Sequence, residues 1–205
     1  MREQLIPKES IRRLSVILRT LNRLKDKGRD KISSSELADI LGINSAQIRK
    51  DFSYFGKFGI RGVGYKIEKL IEEIRSILNL DKEWKVALVG VGNLGQALLS
   101  YPGFKKQGFE IIVAFDKSQE RIGKKIGRIK VEDVDNLEEK IEEEKIKLAI
   151  ITTPSESAQE VASRLVRAGV KTILSFAPCS LDLPKRIKVS YVDIAMELAH
   201  LVYYL

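Results

Sequence analysis

A strand that runs straight into three glycines at fixed spacing leaves a chain few ways to fold, and residues 85–95, KVALVGVGNLG, are such a stretch. Its first half is a short apolar run suited to a buried parallel strand. Its second half sets glycines at 90, 92 and 95, the spacing that allows a tight turn, close approach of a pyrophosphate to the backbone, and close packing of the next helix. Gln96-Ala97-Leu98-Leu99 continues as that helix, and a second apolar run, Ile111 to Phe115, ends in Asp116. An acidic residue about 20 positions beyond the glycines is placed to accept hydrogen bonds from an adenosine ribose. Gly90, Val91, Gly92, Asn93, Leu94, Gly95 and Asp116 are therefore candidate dinucleotide-binding residues. The competing reading is a glycine-rich turn in some other α/β protein.

The rest of this half extends the pattern. After Asp116 the chain is polar as far as a short apolar turn near Ile126 to Val131, and Asn136 to Lys145 reads as an acidic, solvated helix. Lys147 to Thr152 is a third strand closed by Thr153-Pro154, Ser155 caps a helix running to Ala168, and Lys171–Ser175 and Ile187–Tyr191 supply a fourth and fifth strand. Strands separated by helices predict a parallel, doubly wound sheet. Ligands of such sheets sit beyond the carboxyl ends of the strands, which selects Asp116, Thr153, Pro154, Phe176 and Ala177 as pocket wall.

The first 84 residues differ in charge. They hold 18 Lys+Arg against 12 Asp+Glu, whereas residues 85–205 hold 18 against 16, so the basic excess precedes the glycines and suggests a polyanionic partner for the N-terminal part. Pro7 to Lys27 reads as a helix: Ile11, Leu14, Leu18, Leu21 and Leu24 form one face, Arg12, Arg13, Arg19 and Arg23 lie on or beside the other, and Gly28 ends it. Ser33 to Glu36 is a capping box opening a short helix that stops at Gly42; Ile43-Asn44 turns the chain, and Ser45 caps a further helix through Phe55. Two helices around a glycine-containing turn make a helix-turn-helix. On the second, Ala46, Ile48 and Phe52 are spaced to face the core. Ser45, Gln47, Arg49, Lys50, Ser53 and Tyr54 are left to meet DNA: cations for phosphates and guanine edges, hydroxyls and an amide for finer contacts. The next segment, GKFGIRGVGY, has the glycines, cations and aromatics of a hairpin wing, with Lys57 and Arg61 able to reach phosphates or the minor groove. A helix-turn-helix used only for protein contacts is the alternative.

Ile67 to Leu78 forms an amphipathic helix, and Asn79 to Trp84 joins the two parts. The last element, Asp193 to Leu205, has a narrow polar stripe of Asp193, Glu197 and His200 on an otherwise apolar and aromatic helix. Such a helix must be buried, burial between two subunits is the simpler solution, and exchange of the helix between them is one way to achieve it. The expected division is thus 1–80, 81–192 and 193–205. A lone Cys179 cannot form an internal disulfide, no run of about 18 apolar residues predicts a membrane span, and no Cys or His cluster offers a metal site. A cytoplasmic protein without membrane or metal partners is expected.

The segment QIRKDFSYFGKFGIRGVGY, followed by VGVGNLGQAL, YPGF, AFD and the late FAP and VDIAMEL, resembles the Rex family of redox-sensing transcriptional repressors over essentially the whole chain. That resemblance implies an α/β homodimer in which each subunit joins a winged helix to a Rossmann domain binding NAD, as NADH or NAD+, with the C-terminal helix swapped. It implies a palindromic double-stranded DNA operator held by the NAD+ or free form and released when NADH binds. Carried over by motif, Gly90 to Gly95 hold the pyrophosphate and Asp116 the adenine ribose. Tyr101 and Asp193 lie near the nicotinamide, and Arg19 is the switch partner that Asp193 or Tyr101 engages. Lys117 and Arg121 beside Asp116 bear on whether NADP is excluded.

The rival class is an NAD-dependent dehydrogenase with an accessory helical domain. Such enzymes need a placed acid or base beside the nicotinamide. The sole histidine, His200, sits on the terminal helix, and Pro102-Gly103 breaks the helix that would align Tyr101 with Lys105. No catalytic residue is therefore expected. A DNA-binding regulator sensing another nucleotide remains the second alternative, separable by NADH against NADPH discrimination.

Overall fold

The computed structural model describes residues 6–56, 58 and 64–205, so Lys57 and Arg61 of the expected wing lie outside the described residues. The chain divides into two compact units, residues 1–82 and 83–205.

In the first unit, α1 (Lys8–Asp26), α2 (Ser34–Leu41), α3 (Ser45–Ser53) and α4 (Ile67–Ile77) enclose one core. Leu14, Ile17, Leu18 and Leu21 of α1 recur at i, i+3, i+4 and i+7 and pack with Leu37 and Ala38 of α2, Ile48 and Phe52 of α3, and Ile67, Leu70, Ile71 and Ile74 of α4. Between α1 and α2, β1 (Lys31–Ile32) pairs antiparallel with β2 (Tyr65–Lys66). The capping box forms as expected: Ser33 Oγ accepts the Glu36 N–H at 3.1 Å and Glu36 Oε2 accepts the Ser33 N–H at 2.8 Å. Gly42, at φ +65, turns the chain out of α2.

Several local expectations are corrected. Asn44, not Ser45, caps α3, its side chain accepting the Ala46 N–H at 2.8 Å, and the helix ends at Ser53. Ala46 is exposed: the inward face is set by Ile48, Asp51 and Phe52, and Ala46 lies two residues, about 200° of helical turn, from Ile48. Ile11 is exposed as well, because Ser10 takes the inward place in the first turn of α1, where its hydroxyl meets Asp51. Arg13 belongs to that same contact and is half-buried rather than on the free face.

In the second unit the described strands form a sheet in the order β5-β6-β4-β3-β7-β8-β9, parallel except for the β5–β6 hairpin. β3 (Trp84–Val89) is flanked by β4 (Phe109–Asp116) and by β7 (Leu148–Ile151). The chain winds one way from β3 to β4 and the other way to β7, β8 (Thr172–Ser175) and β9 (Lys188–Tyr191). The carboxyl end of β3 is thus the switch point at which doubly wound sheets open a crevice. The apolar stretch at Ile126 to Val131 is no mere turn: β5 (Lys125–Ile126) and β6 (Ile129–Asp133) form a hairpin whose second strand extends the sheet beside β4, Val131 opposite Ala114.

Helices α5 (Asn93–Leu99), α6 (Gly103–Lys106), α7 (Leu137–Glu143) and α8 (Ser155–Arg167) connect the strands. α7 is less solvated than its glutamates suggest. Leu137 and Ile141 are fully buried, and Glu138 receives the Arg164 guanidinium of α8 at 2.5 and 2.8 Å. Hydrogen bonds from that guanidinium hold the Glu138 carboxyl below its usual range. Pro154 occupies the N-cap position of α8 and Ser155 is its first residue, so the expected serine cap is absent. The terminal helix α9 (Ile194–Val202) buries none of its residues against its own chain.

Candidate functional site

Two groups of residues, one in each unit, carry the features of a binding site. The first surrounds the carboxyl end of β3. Gly90 has φ +100, and a Cβ there would meet the Thr152 carbonyl carbon at 2.8 Å, so this position needs glycine twice over. The turn is clamped from both sides: the Gly90 N–H donates to the Phe115 carbonyl at 2.8 Å, and Thr152 Oγ1 donates to the Gly90 carbonyl at 2.6 Å. A Cβ on Gly95 would lie 2.1 Å from the Gly90 carbonyl oxygen, which is how closely α5 packs on the turn. At Gly92 a Cβ would meet nothing within 4 Å. Space therefore stands open over the loop backbone at Gly92, just where a helix begins and its first amides lack intrahelical acceptors. Gly90 thus serves the turn and Gly95 the packing, while the backbone at Gly92 is left uncovered.

Asp116 ends β4 beside this loop and is 6% exposed. Its Oδ2 accepts the Val91 N–H at 2.7 Å and its Oδ1 accepts the Ser118 N–H at 2.8 Å, while Arg121 Nη1 lies 3.4 Å from both oxygens. The carboxylate thus ties the glycine loop to β4, and the two long contacts from Arg121 are the ones a ribose hydroxyl would replace, since two oxygens offer about four acceptor positions. Thr153, at the end of β7, has a buried Oγ1 with no hydrogen-bond partner. A buried hydroxyl left unpaired is costly. Pro154 beside it is exposed, Phe176 is half-buried and Ala177 is buried. The fit to a dinucleotide rests on these features of the chain itself.

The other residues expected near the nicotinamide are placed separately. Tyr101 is 57% exposed and packs edge-on against Phe104, ring centroids 5.2 Å apart, over Gly103, where a Cβ would come within 2.3 Å of its ring. Asp193 is the N-cap of α9, its side chain accepting the Met196 N–H at 3.1 Å. No hydrogen bond or ion pair among the described residues joins Tyr101 or Asp193 to the glycine loop. Lys105 sits in α6 and pairs with Glu110 at 3.2 Å, whereas Tyr101 precedes that helix.

The second group lies on α3. Arg49, Lys50 and Ser53 are exposed and Tyr54 is half-buried. Arg49 Nη1 donates to Ser45 Oγ at 3.2 Å and to Ser34 Oγ at 3.3 Å, which lays its guanidinium across the first turns of α2 and α3. Ser53 Oγ donates to the Lys50 carbonyl at 2.7 Å. Gln47 turns partly inward, its Nε2 donating to Asp51 Oδ1 at 2.8 Å. Asp51 itself is absent from the sequence-based expectations, although its spacing three residues after Ile48 puts it on the core face and could have flagged it. Arg19 is exposed on α1. Among the described residues no group of three or more His, Cys, Asp or Glu is arranged to hold a metal ion, and no helix is long and apolar enough to cross a membrane.

Known proteins resemble the chain in both units. A family described as "CoA binding domain" matches residues 81–179, and one described as "Putative DNA-binding protein N-terminus" matches residues 5–53. The redox-sensing transcriptional repressor Rex of Chloroflexus aurantiacus is 45% identical over 204 residues, covering 100% of this chain and 96% of that protein. Its counterpart in Carboxydothermus hydrogenoformans is 46% identical over 198 residues, 97% and 95% of the two chains. Among solved structures, a Rex-family repressor called RSP, in complex with beta-NAD+ and operator DNA, superposes with TM-score 0.94 at 37% identity, covering 98% of this chain and 93% of that one. RSP in complex with beta-NADH superposes at TM-score 0.90. With a winged helix-turn-helix, a Rossmann-type sheet and such identity along nearly its full length, the chain belongs to the Rex family of redox-sensing transcriptional repressors.

Proposed function

We propose that this repressor reads the NADH/NAD+ ratio in the crevice at the end of β3 and reports it as occupancy of a palindromic operator bound by α3 of two subunits. The observation that carries the reading is the open backbone at Gly92, where α5 begins and the glycine turn is tied to Asp116, in one chain with the exposed cations of α3. A bound dinucleotide supplies a nicotinamide ring that is cationic when oxidised and neutral when reduced. Gly90 to Gly95 hold the pyrophosphate, Asp116 orients the adenine ribose, and Thr153 and Pro154 line the crevice. Tyr101, Asp193 and Arg19 are the switch residues. A phenol and a carboxylate favour different arrangements beside a cationic and a neutral ring, and a ligand shifts a conformational equilibrium only by its differential affinity for the two states.

Ser45, Gln47, Arg49, Lys50, Ser53 and Tyr54 form the DNA-contacting face, joined by Lys57 and Arg61 of the wing. The division into a DNA-binding part (1–80), a nucleotide-binding part (81–192) and a dimerisation helix (193–205) follows. A two-fold dimer must match half-sites at a set spacing, so any change in the separation of its two α3 helices loses the operator. The exposed apolar side chains of α9 support burial of that helix by a second copy.

The protein catalyses no reaction in this reading, supported by the position of Tyr101 outside the helix that carries Lys105 and by the surface position of His200. It acts in the cytoplasm, where operator and nicotinamide pool meet. Fluorescence anisotropy on a labelled palindromic duplex, selected by the protein from random DNA, tests the proposal. Saturating NADH should release the duplex and NAD+ should not. Retention of the duplex at saturating NADH refutes it.

A further inference from the structure

Between α1 and α3 lies a carboxylate with no role in the scheme above. Asp51 is fully buried, and four donors converge on it. Ser10 Oγ and Arg13 Nη2 reach Oδ1 from α1 at 2.8 and 2.9 Å, Arg13 Nε reaches Oδ2 at 2.5 Å, and Gln47 Nε2 reaches Oδ1 at 2.8 Å from within α3. Burial pushes the Asp51 carboxyl upward, but the bonds from Arg13, Ser10 and Gln47 outweigh it and hold the group below its usual range. The site is a charged one through and through.

Cohesion between the helices does not require such a group. Buried ion pairs are often matched or bettered in stability by apolar side chains of similar volume. What apolar packing lacks is direction. A guanidinium fork seated on both oxygens of a carboxylate fixes rotation and slide in a way that aliphatic contacts do not. Asp51 follows Arg49 and Lys50 directly and lies one turn after Gln47, so its inward bonds and their outward reach belong to the same rigid turns. If α3 rotated by about 20° about its axis, side-chain tips at the helix radius would move by roughly 2 Å. Hydrogen bonds to base edges span only about 0.5 Å of tolerance. Because Asp51 accepts and cannot donate, it also turns the Gln47 amide so that Nε2 faces the carboxylate.

We propose that Asp51 is a positioning residue for operator recognition: through Arg13 and Ser10 it registers the recognition helix against α1, and it sets the polarity of Gln47. This rests on the assignment of α3 as the recognition helix.

The test replaces the carboxylate and its donors from α1 by apolar groups, Ser10→Ala with Arg13→Met and Asp51→Leu, which leaves the net charge unchanged and releases the Gln47 amide. Three quantities are read: unfolding temperature, NADH affinity, and the ratio of affinities for selected operator and for an unrelated duplex of equal length. Unfolding and NADH affinity should stay near wild type while the ratio falls by roughly tenfold to a hundredfold. An operator-to-unrelated ratio within about twofold of wild type means the network only holds the fold and overturns the proposal. If the triple variant does not fold, Arg13→Lys decides, since lysine keeps the charge but cannot form the fork: an unchanged ratio overturns the proposal, and a loss of roughly tenfold supports it. Lys50→Ala separates this from the underlying assignment. No effect of Lys50→Ala on operator binding removes α3 as the recognition helix, whereas a loss there with an intact ratio in the triple variant removes only the role of Asp51.

Discussion

Replacing Gly92 by alanine separates folding from ligand binding more cleanly than any other change in the glycine loop. Gly92 has φ −71 and ψ −168, an extended conformation open to any residue, and its added Cβ meets nothing within 4 Å. Restricting the unfolded chain by Gly→Ala is worth about 0.4–1 kcal/mol where the native backbone is compatible. Loss of glycine from an N-cap position costs a similar few tenths to about 1 kcal/mol, so the net change in stability is close to zero. The dinucleotide meets a different situation, because in the proposed site the new methyl group would stand where the pyrophosphate approaches the backbone. Losing one backbone hydrogen bond to a charged phosphate costs about 1.5–3 kcal/mol, or roughly tenfold to a hundredfold in affinity. Thermal unfolding without ligand and titration of NADH by its own fluorescence measure the two effects on one sample. Gly95→Ala is the internal contrast: its Cβ would lie 2.1 Å from the Gly90 carbonyl oxygen, so it should lower the unfolding temperature of the second unit markedly. Wild-type NADH affinity in Gly92→Ala would refute the placement of the pyrophosphate, and unfolding of Gly92→Ala would refute the reading of that space as open.

Other perturbations address the remaining parts. Thr153→Val removes an unpaired buried hydroxyl at nearly constant volume, so the ligand-free protein should gain about 1 kcal/mol in denaturant titration while NADH affinity falls; a loss of stability would mean that the hydroxyl is already satisfied. Glu36 is held at a pKa of about 2 by the Ser33 backbone N–H, with help from Arg29 and the Ser33 hydroxyl, and Asp51 is also held low. Both carboxylates are depressed on folding, so each contributes stability that is present above its unfolded pKa and lost as pH falls through its folded one; for Glu36 that span runs from 4.5 down to about 2, and Glu36→Gln should flatten that part of the melting profile. Truncation before Asp193 should give monomer or aggregate by sedimentation velocity, because Ile194, Met196, Leu198, Leu201 and Val202 are each more than half exposed in the single chain; an intact dimer without this segment would sink its assignment.

Local chemistry made much of the molecule legible in advance. The capping box at Ser33, the amphipathic stripes of α1 and α4, and the tight turn at Gly90 with close packing at Gly95 depend on short-range sterics and periodicity, which one stretch of chain carries complete. So does the apolar character of α9, since an unpartnered helix of Ile, Met, Leu, Val and Tyr declares itself in its composition. Where the reading went wrong, either the local geometry of one residue or a contact from elsewhere in the chain decided. Ser45 and Ser155 looked like caps, but Asn44 and Pro154 hold those positions, a choice of one residue that depends on how the preceding turn enters the helix.

The hairpin at Lys125 to Asp133 is too short to announce a strand, and only pairing with β4 makes it part of the sheet. The sequence by itself determined most of the elements, the class of sheet and the glycine turn at the end of β3, because strand, glycine spacing and acidic residue lie within about thirty residues of one another. Only the tertiary structure decided which polar groups are taken. Asp51 is 41 residues from Ser10 and 38 from Arg13, and Asp116 is 25 from the Val91 amide it receives. A carboxylate in a basic segment and one at a strand end look alike in one dimension. Burial and the donors that converge on each separate them, and both are properties of chain segments meeting across the fold.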